Sequence, residues 1–330
     1  MTDEAAHAGP AGEGRERANT DGETGVGAVS LPAGEARRRG PSPFAGREAI
    51  SPGAMAWRRF RRHKLAVIGA CALAVIVIVA VFAPVIAPHD PNSIDLNLSY
   101  VTPSGAHLLG TDISGRDLLS RLIFASRISV SVGLVSVSIY VAIAIAIGGI
   151  SGYYGGLVDS ILMRFTDTML SFPTLMMIFI VVSILGPSIF NVMLVIGVFG
   201  WPGLARVIRG QFLQIRGMDY VLSARSVGVH SSRIILRHIL PNAIGPVIVW
   251  ATFGMAGAIM FEASLSFLGL GVQPPQASWG NMLVDAQRLK IIRDLPWVWV
   301  PPGLAVVIMV LSINFMGDGL RDALDPRTLL

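Results

Sequence analysis

Side chains able to run chemistry are sparse in this chain and stand far apart. Cys71 is the only cysteine and lies inside an apolar run, which excludes an intrachain disulfide and a cysteine metal cluster. The six histidines lack the i, i+4 pairing of a helical zinc site, so spacing points to no metal. Lys64 and Lys290 are the only lysines, and neither follows a glycine, so no phosphate-loop lysine exists. The expectation is a non-catalytic chain, holding no cofactor or metal and hydrolysing no nucleotide by itself. Two polar residues matter for a different reason, because they fall in strongly apolar surroundings. Glu262 reads either as a pathway or gate group or as a carboxylate reaching the interface or bonded to nearby backbone. Asn314 reads first as an interhelical hydrogen bond, with pathway contact as the alternative.

The elements that must position these groups are membrane helices. Only 14% of the residues are charged and 52% are hydrophobic, where a soluble domain would carry about a quarter charged. Residues 1–56 hold 14 of the 47 charged groups together with ten glycines. That segment cannot bury enough surface to offset its ordering entropy and is expected to be a disordered tail. The remaining 274 residues carry 20 basic and 13 acidic groups. Their basic residues cluster beside apolar runs, as topology signals do, rather than forming the stripe of a nucleic-acid binder. Nucleic acid is therefore not an expected partner; a lipid bilayer is.

Residues 57–64 form a basic, aromatic-interleaved collar, and Leu65–Ala87 then runs 23 residues without a charge, enough to cross a core about 30 Å thick. Further spans are expected at about 128–150, 159–185, 188–208, 243–262 and 297–316, with Gly186-Pro187 dividing the long uncharged stretch 168–205. The collar places the N-terminus inside. Four crossings then return the chain to the cytoplasm, where Arg206, Arg209, Arg216, Arg225, Arg233 and Arg237 follow in one loop. The expected fold is an all-α integral membrane protein with six transmembrane helices at 57–330 and both termini cytoplasmic in the cell membrane. Arg164 and Asp167 are expected to pair locally, the small residues from Gly133 to Gly152 to allow close helix packing, and Trp297 and Trp299 to form an interfacial belt.

Within the arginine-rich loop, about 210–242, Asp219 can cap a short helix that Gly228 ends in a left-handed conformation. A second helix, 231–240, is expected to stop at Pro241-Asn242. Residue pattern alone leaves two readings open: an element that docks in another protein's cleft, or an amphipathic surface hairpin.

The run from Asp219 to Asn242 resembles the EAA loop of ABC importer permeases, matching at Ala224, Gly228 and Pro241. It departs at Leu222 and Ser223, where Glu and Ala are typical. Further stretches are similar to the C-type permease of dipeptide and oligopeptide importers: Lys64–Gly69 with Phe82–Pro84, His107–Asp112 with Gly115–Asp117, Leu265–Pro275, Ser278–Leu283 and Gly317–Arg327. Residues 57–330 are covered in order, and the tail 1–56 lies outside. The resemblance implies a type I ABC importer permease subunit for di- or oligopeptides that forms half of a pathway with a homologous second permease. It also implies two cytoplasmic ATPase subunits, which bind ATP and Mg, and an extracytoplasmic substrate-binding protein. Asp219, Ala224, Arg225, Gly228 and Pro241 then belong to the ATPase-coupling loop. Other readings are an ion-gradient-driven secondary transporter, a permease of the same family for nickel or glutathione, and a membrane-anchored scaffold working through its tail.

Overall fold

A computed structural model of the chain describes residues 52–324, and all but the last five residues of the expected tail lie outside that range. Those five open the first helix, α1 (Pro52–Phe60), so ordered structure begins ahead of the basic collar. Most of the described residues are helical, and no strand occurs among them. Helix α2 (Lys64–Val81) starts where His63 Nδ1 accepts the Ala66 N–H at 3.1 Å, and it passes into the short α3 (Ala83–Ile86).

Helix α4 (Leu118–Tyr154) is 37 residues long, against the 23 expected. Asp117 caps it by accepting the Ser120 N–H at 2.8 Å, and the left-handed Gly155 ends it. At 1.5 Å per residue it runs about 55 Å, well beyond an apolar core of about 30 Å. Residues 118–127, ahead of the expected span, are thus the first part of this helix.

Helices α5 (Gly156–Leu170) and α6 (Thr174–Leu185) occupy the expected third span but meet at a bend of 82°. Pro173 explains the break, because its ring disfavours helical backbone in the residue before it and it has no N–H to donate. Among the described residues, five helical stretches are long and apolar enough to cross a membrane, six if this bent pair is one span. The expected fourth span joins α7 (Ile189–Phe199) to α8 (Pro202–Ile215).

The arginine-rich loop contains α9 (Asp219–Ser226) and α10 (Ser231–Ile234). Pro241 does not stop the helix, contrary to expectation. A π turn over Ile235–Ile239 carries α10 directly into α11 (Leu240–Phe267), where Pro241 sits in the first turn. Wide turns shift the hydrogen-bond register, and the Leu240 N–H bonds Ile235 O, so the missing proline donor falls at a junction. Beyond α11 come α12 (Trp279–Met282), α13 (Leu289–Asp294) and α14 (Pro296–Leu324).

Helix α4 packs against α2, α7, α8 and α11, and α14 against α2 and α11. Small residues permit this, as expected: a Cβ on Gly152 would stand 2.6 Å from Phe212 Cβ, and one on Gly148 would strike the Ala205 carbonyl. His63 lies 3.8 Å from Asp322, and Leu324 borders Gly245. The basic collar, the end of α14 and the start of α11 therefore share one end of the bundle with the arginine-rich loop. At the opposite end, Trp279 is buried, with Nε1 donating to Leu122 O at 3.2 Å.

Candidate docking site at the arginine-rich loop

Helix α9 is set by backbone at both ends. Its N-cap is Met218, with extended backbone, and Asp219 is already the first helical residue and makes no capping bond. The expected cap is therefore corrected to a first-turn carboxylate, which favours the helix through the partial positive charge there. At the other end Gly228 takes φ +76°. Its N–H bonds Arg225 O and the Val229 N–H bonds Ala224 O, each at 3.1 Å. These crossed bonds close the helix on a left-handed glycine. No heavy atom lies within 4 Å of a Cβ built at Gly228, so backbone conformation alone demands the glycine.

Arginines tie this helix to the corner between α4 and α5. Arg216 Nη1 donates to Gly152 O and Tyr153 O, both at 3.1 Å, satisfying carbonyls that α4 leaves without a partner. The Arg225 guanidinium lies over the Tyr153 ring, 5.5 Å from its centre. Next to it, Arg209 grips Asp159 with two bonds of 2.5 and 2.6 Å, a fork-to-carboxylate pair. Val221 points inward and is buried. Asp167 does not pair with Arg164; it meets Arg206 of α8 at 2.5 Å, because neighbouring helices bring a better-placed partner than its own turn does.

The outward face is apolar with a basic rim. Tyr220 and Leu222 are more than 40% exposed, Leu236 is 63% and Val227 79%, and Arg225, Arg233 and Arg237 are exposed around them. Asn242 steadies the junction by donating to His238 O at 2.7 Å. Pro241 is exposed and Ala224 half-buried. A rigid, apolar-tipped helix with cationic edges suits insertion into a protein cleft bordered by carboxylates.

The two pathway candidates are not brought together with this face. Glu262 is completely buried near the other end of α11, where Oε1 accepts the Ser266 hydroxyl at 2.6 Å and Oε2 has no protein partner. It does not reach toward the interface. Asn314 is half-buried in α14 and makes no side-chain hydrogen bond among the described residues. Trp297 packs under the turn at Gly110 instead of standing in a belt, whereas Trp299 bonds Ile292 O at 3.3 Å.

Comparison with known proteins shows the family. Residues 144–330 match the family described as the binding-protein-dependent transport system inner membrane component, and residues 51–103 match the N-terminal transmembrane domain of oligopeptide transport permease C. The chain belongs to this permease family. The oligopeptide transport system permease protein OppC of Haemophilus influenzae is 42% identical over 272 residues, 82% of this chain and 87% of the relative. The dipeptide transport system permease protein DppC of Alkalihalophilus pseudofirmus is 36% identical over 287 residues, covering 87% and 94%. The glutathione transport system permease protein GsiD of Pectobacterium atrosepticum is 39% identical over 272 residues, covering 82% and 90%. Among solved structures, the inward-facing MetNI methionine ABC transporter contains a chain that superposes with TM-score 0.51 at 16% identity, over 62% of this chain and 96% of that one. The fold is that of an ABC importer permease.

In this permease, the anchors that residue pattern missed are Arg216, Tyr153 and the Arg209–Asp159 pair. Arg216 and Arg209 were legible only as part of a basic run, and no sequence spacing links Arg209 to a residue 50 positions earlier or Arg216 to one 63 positions earlier.

Proposed function

We propose that this permease forms half of the translocation pathway of an ATP-driven importer for di- or oligopeptides. A homologous permease supplies the other half. Two cytoplasmic ATPase subunits bind ATP and Mg, and an extracytoplasmic binding protein delivers the substrate. The chain itself is a non-catalytic lever in the cell membrane with both termini cytoplasmic. The peptide substrate is supported by the dipeptide and oligopeptide relatives, and glutathione, carried by another relative's system, is itself a tripeptide.

One observation carries the coupling role: a backbone-closed α9 that exposes Tyr220, Leu222 and Val227 while Arg216 ties the same loop to the end of α4. Asp219, Ala224, Arg225, Gly228 and Pro241 shape or border this element. Closure of the ATPases would push α9, and the push would pass through Arg216 and Arg225 to the α4–α5 corner and through the loop's continuous ends to α8 and α11. Rigid-body movement of those helices alternately opens the pathway to either side. The clustering of basic residues at one end of the bundle supports a cytoplasmic loop.

Gly228→Val tests the lever. A β-branched residue in the left-handed region is strained by roughly 1–2 kcal/mol, so α9 should be re-aimed while insertion and pairing with the second permease stay intact. ATPase binding should weaken, or hydrolysis should uncouple from uptake in proteoliposomes, while Gly228→Asn retains both. Normal uptake with normal ATPase stimulation in Gly228→Val would remove the loop from the mechanism. Orientation is tested in a Cys71→Ser background with an impermeant thiol reagent. Arg225→Cys should label from the cytoplasmic side and Leu289→Cys, at a position 79% exposed, from the other. Labelling of both from one side would overturn the topology.

A further inference from the structure

Histidines that look scattered along the chain meet at the end of the bundle opposite the arginine-rich loop. His89, His107 and Asp117 each offer one ligand atom, and these atoms lie within 4.8 Å of one another. His107 Nδ1 is 3.0 Å from Asp117 Oδ1, and His89 Nδ1 is 3.7 Å from Oδ2. The two imidazole rings are tilted by 36° with centres 4.8 Å apart.

The carriers of these groups are fixed independently of one another. Ser120, fully buried, accepts the His89 N–H on Oγ at 3.0 Å and donates its own N–H to Asp117 at 2.8 Å. His107 sits in a tight turn, its carbonyl accepting from Ser104 and Gly110 at 2.8 and 2.9 Å. The Asp117 carboxylate is 2% exposed and the His107 side chain 15%, whereas the His89 side chain is 42% exposed.

Capping α4 requires Asp117, and orienting that carboxylate requires at most His107. Neither task requires His89, whose Nδ1 stands too far from the carboxylate for a hydrogen bond. The two N-to-O separations, one to each carboxylate oxygen, fall either side of about 3.4 Å, the ligand spacing of a tetrahedron with bonds of 2.0–2.1 Å, so both rings stand at metal-ligand range from the carboxylate. Neutral imidazole suits late first-row ions, while calcium and magnesium prefer all-oxygen shells.

We propose that His89, His107 and Asp117 bind a late first-row divalent cation, zinc or a close neighbour, which clamps the 87–117 connection to the start of α4. The two histidines supply deprotonated ring nitrogens and Asp117 one oxygen, with Ser120 as the outer-shell residue that holds Asp117 in place. Three protein ligands leave a fourth position beside the exposed His89, open to water or to a donor group from solution. The inference rests on these loops alone and is independent of the transport reading.

The test uses the full chain in detergent, purified through a tag without histidine. Calorimetric titration with Zn²⁺ should give about one ion per chain. His89→Ala leaves the Asp117 cap and the Asp117–His107 bond in place, so metal-free melting should be unchanged. His89→Ala and His107→Ala should each weaken zinc binding beyond the roughly 10–100-fold that loss of an outer-shell partner costs. His238→Ala, in the arginine-rich loop, should not alter it. In the wild-type chain, Co²⁺ should show the intense visible bands of a four-coordinate nitrogen and oxygen site. Absence of zinc binding by the wild-type chain, binding that survives the His89→Ala/His107→Ala double variant, or a Co²⁺ spectrum of the hydrated octahedral ion would each overturn the proposal.

Discussion

At the end of the bundle that holds Trp279, the segment around α12 folds inward and locks; at the arginine-rich end α9 is closed in its backbone yet leaves apolar side chains in the open. Ser278 and Asn281 cap α12 reciprocally, Asn281 also donates to Val272 O and Gln276 O, and Arg116 and Arg121 both lie against Asp112. Trp279 fills the space beneath and bonds α4. The other end has its own ties, chiefly Arg216 and the Arg209–Asp159 pair, but these hold the base of the loop and leave its outward face uncovered. The contrast teaches that hydrogen-bond satisfaction and surface coverage are separate properties. The α12 lid has both at Trp279, whereas α9 has only the first.

The comparison breaks most visibly at Trp279. Removing a buried indole that also carries a hydrogen bond should cost about 3–5 kcal/mol. Trp279→Ala is expected to lower the thermal midpoint in detergent more than any substitution on the outward face of α9; an equal or smaller shift would mean that the lid is not the tighter end. A smaller loss is expected for Asp117→Ala, about 1 kcal/mol, from the missing cap. Burial pushes the Asp117 carboxyl up, but bonds from the Ser120 N–H and from His107 outweigh it and hold the group below the usual carboxylate range. Its contribution is therefore complete above the unfolded value of about 4 and is lost as pH falls through the lower folded value. Acid melts should show the wild-type advantage over Asp117→Ala shrinking only below about pH 4. The smallest effect on stability belongs to Tyr220→Ala/Leu222→Ala, within about 0.5 kcal/mol because both side chains are exposed. That double variant should nevertheless lose ATPase co-purification, and full retention of the ATPases would show that the open face is not the contact.

Apolar runs were readable because lipid requires them: every expected span has a helical counterpart, and Gly186 does end α6. Direction and continuity were not readable. A charge-free stretch looks the same straight or bent by 82°, and the Pro173 that breaks it resembles prolines that break nothing. Pro241 is one of these, since the π turn before it removes the need for its N–H. Gly228 was legible as a left-handed stop because a helix needs one there, but the partners of Arg216 and Asp167 depend on which helices become neighbours. His89, His107 and Asp117 escape any spacing rule for the same reason, each being delivered by a different part of the outer connection.

The closure at Gly228 separates form from identity. Both bonds that end α9 run between backbone atoms, Gly228 N to Arg225 O and Val229 N to Ala224 O, so its outward side chains have no part in holding that terminus. Residues 220, 222 and 227 can therefore be exchanged like the teeth of a key whose blank stays the same. If the loop docks as proposed, a permease built this way could acquire a preference for a different ATPase subunit by a few surface substitutions, with its membrane helices left as they are.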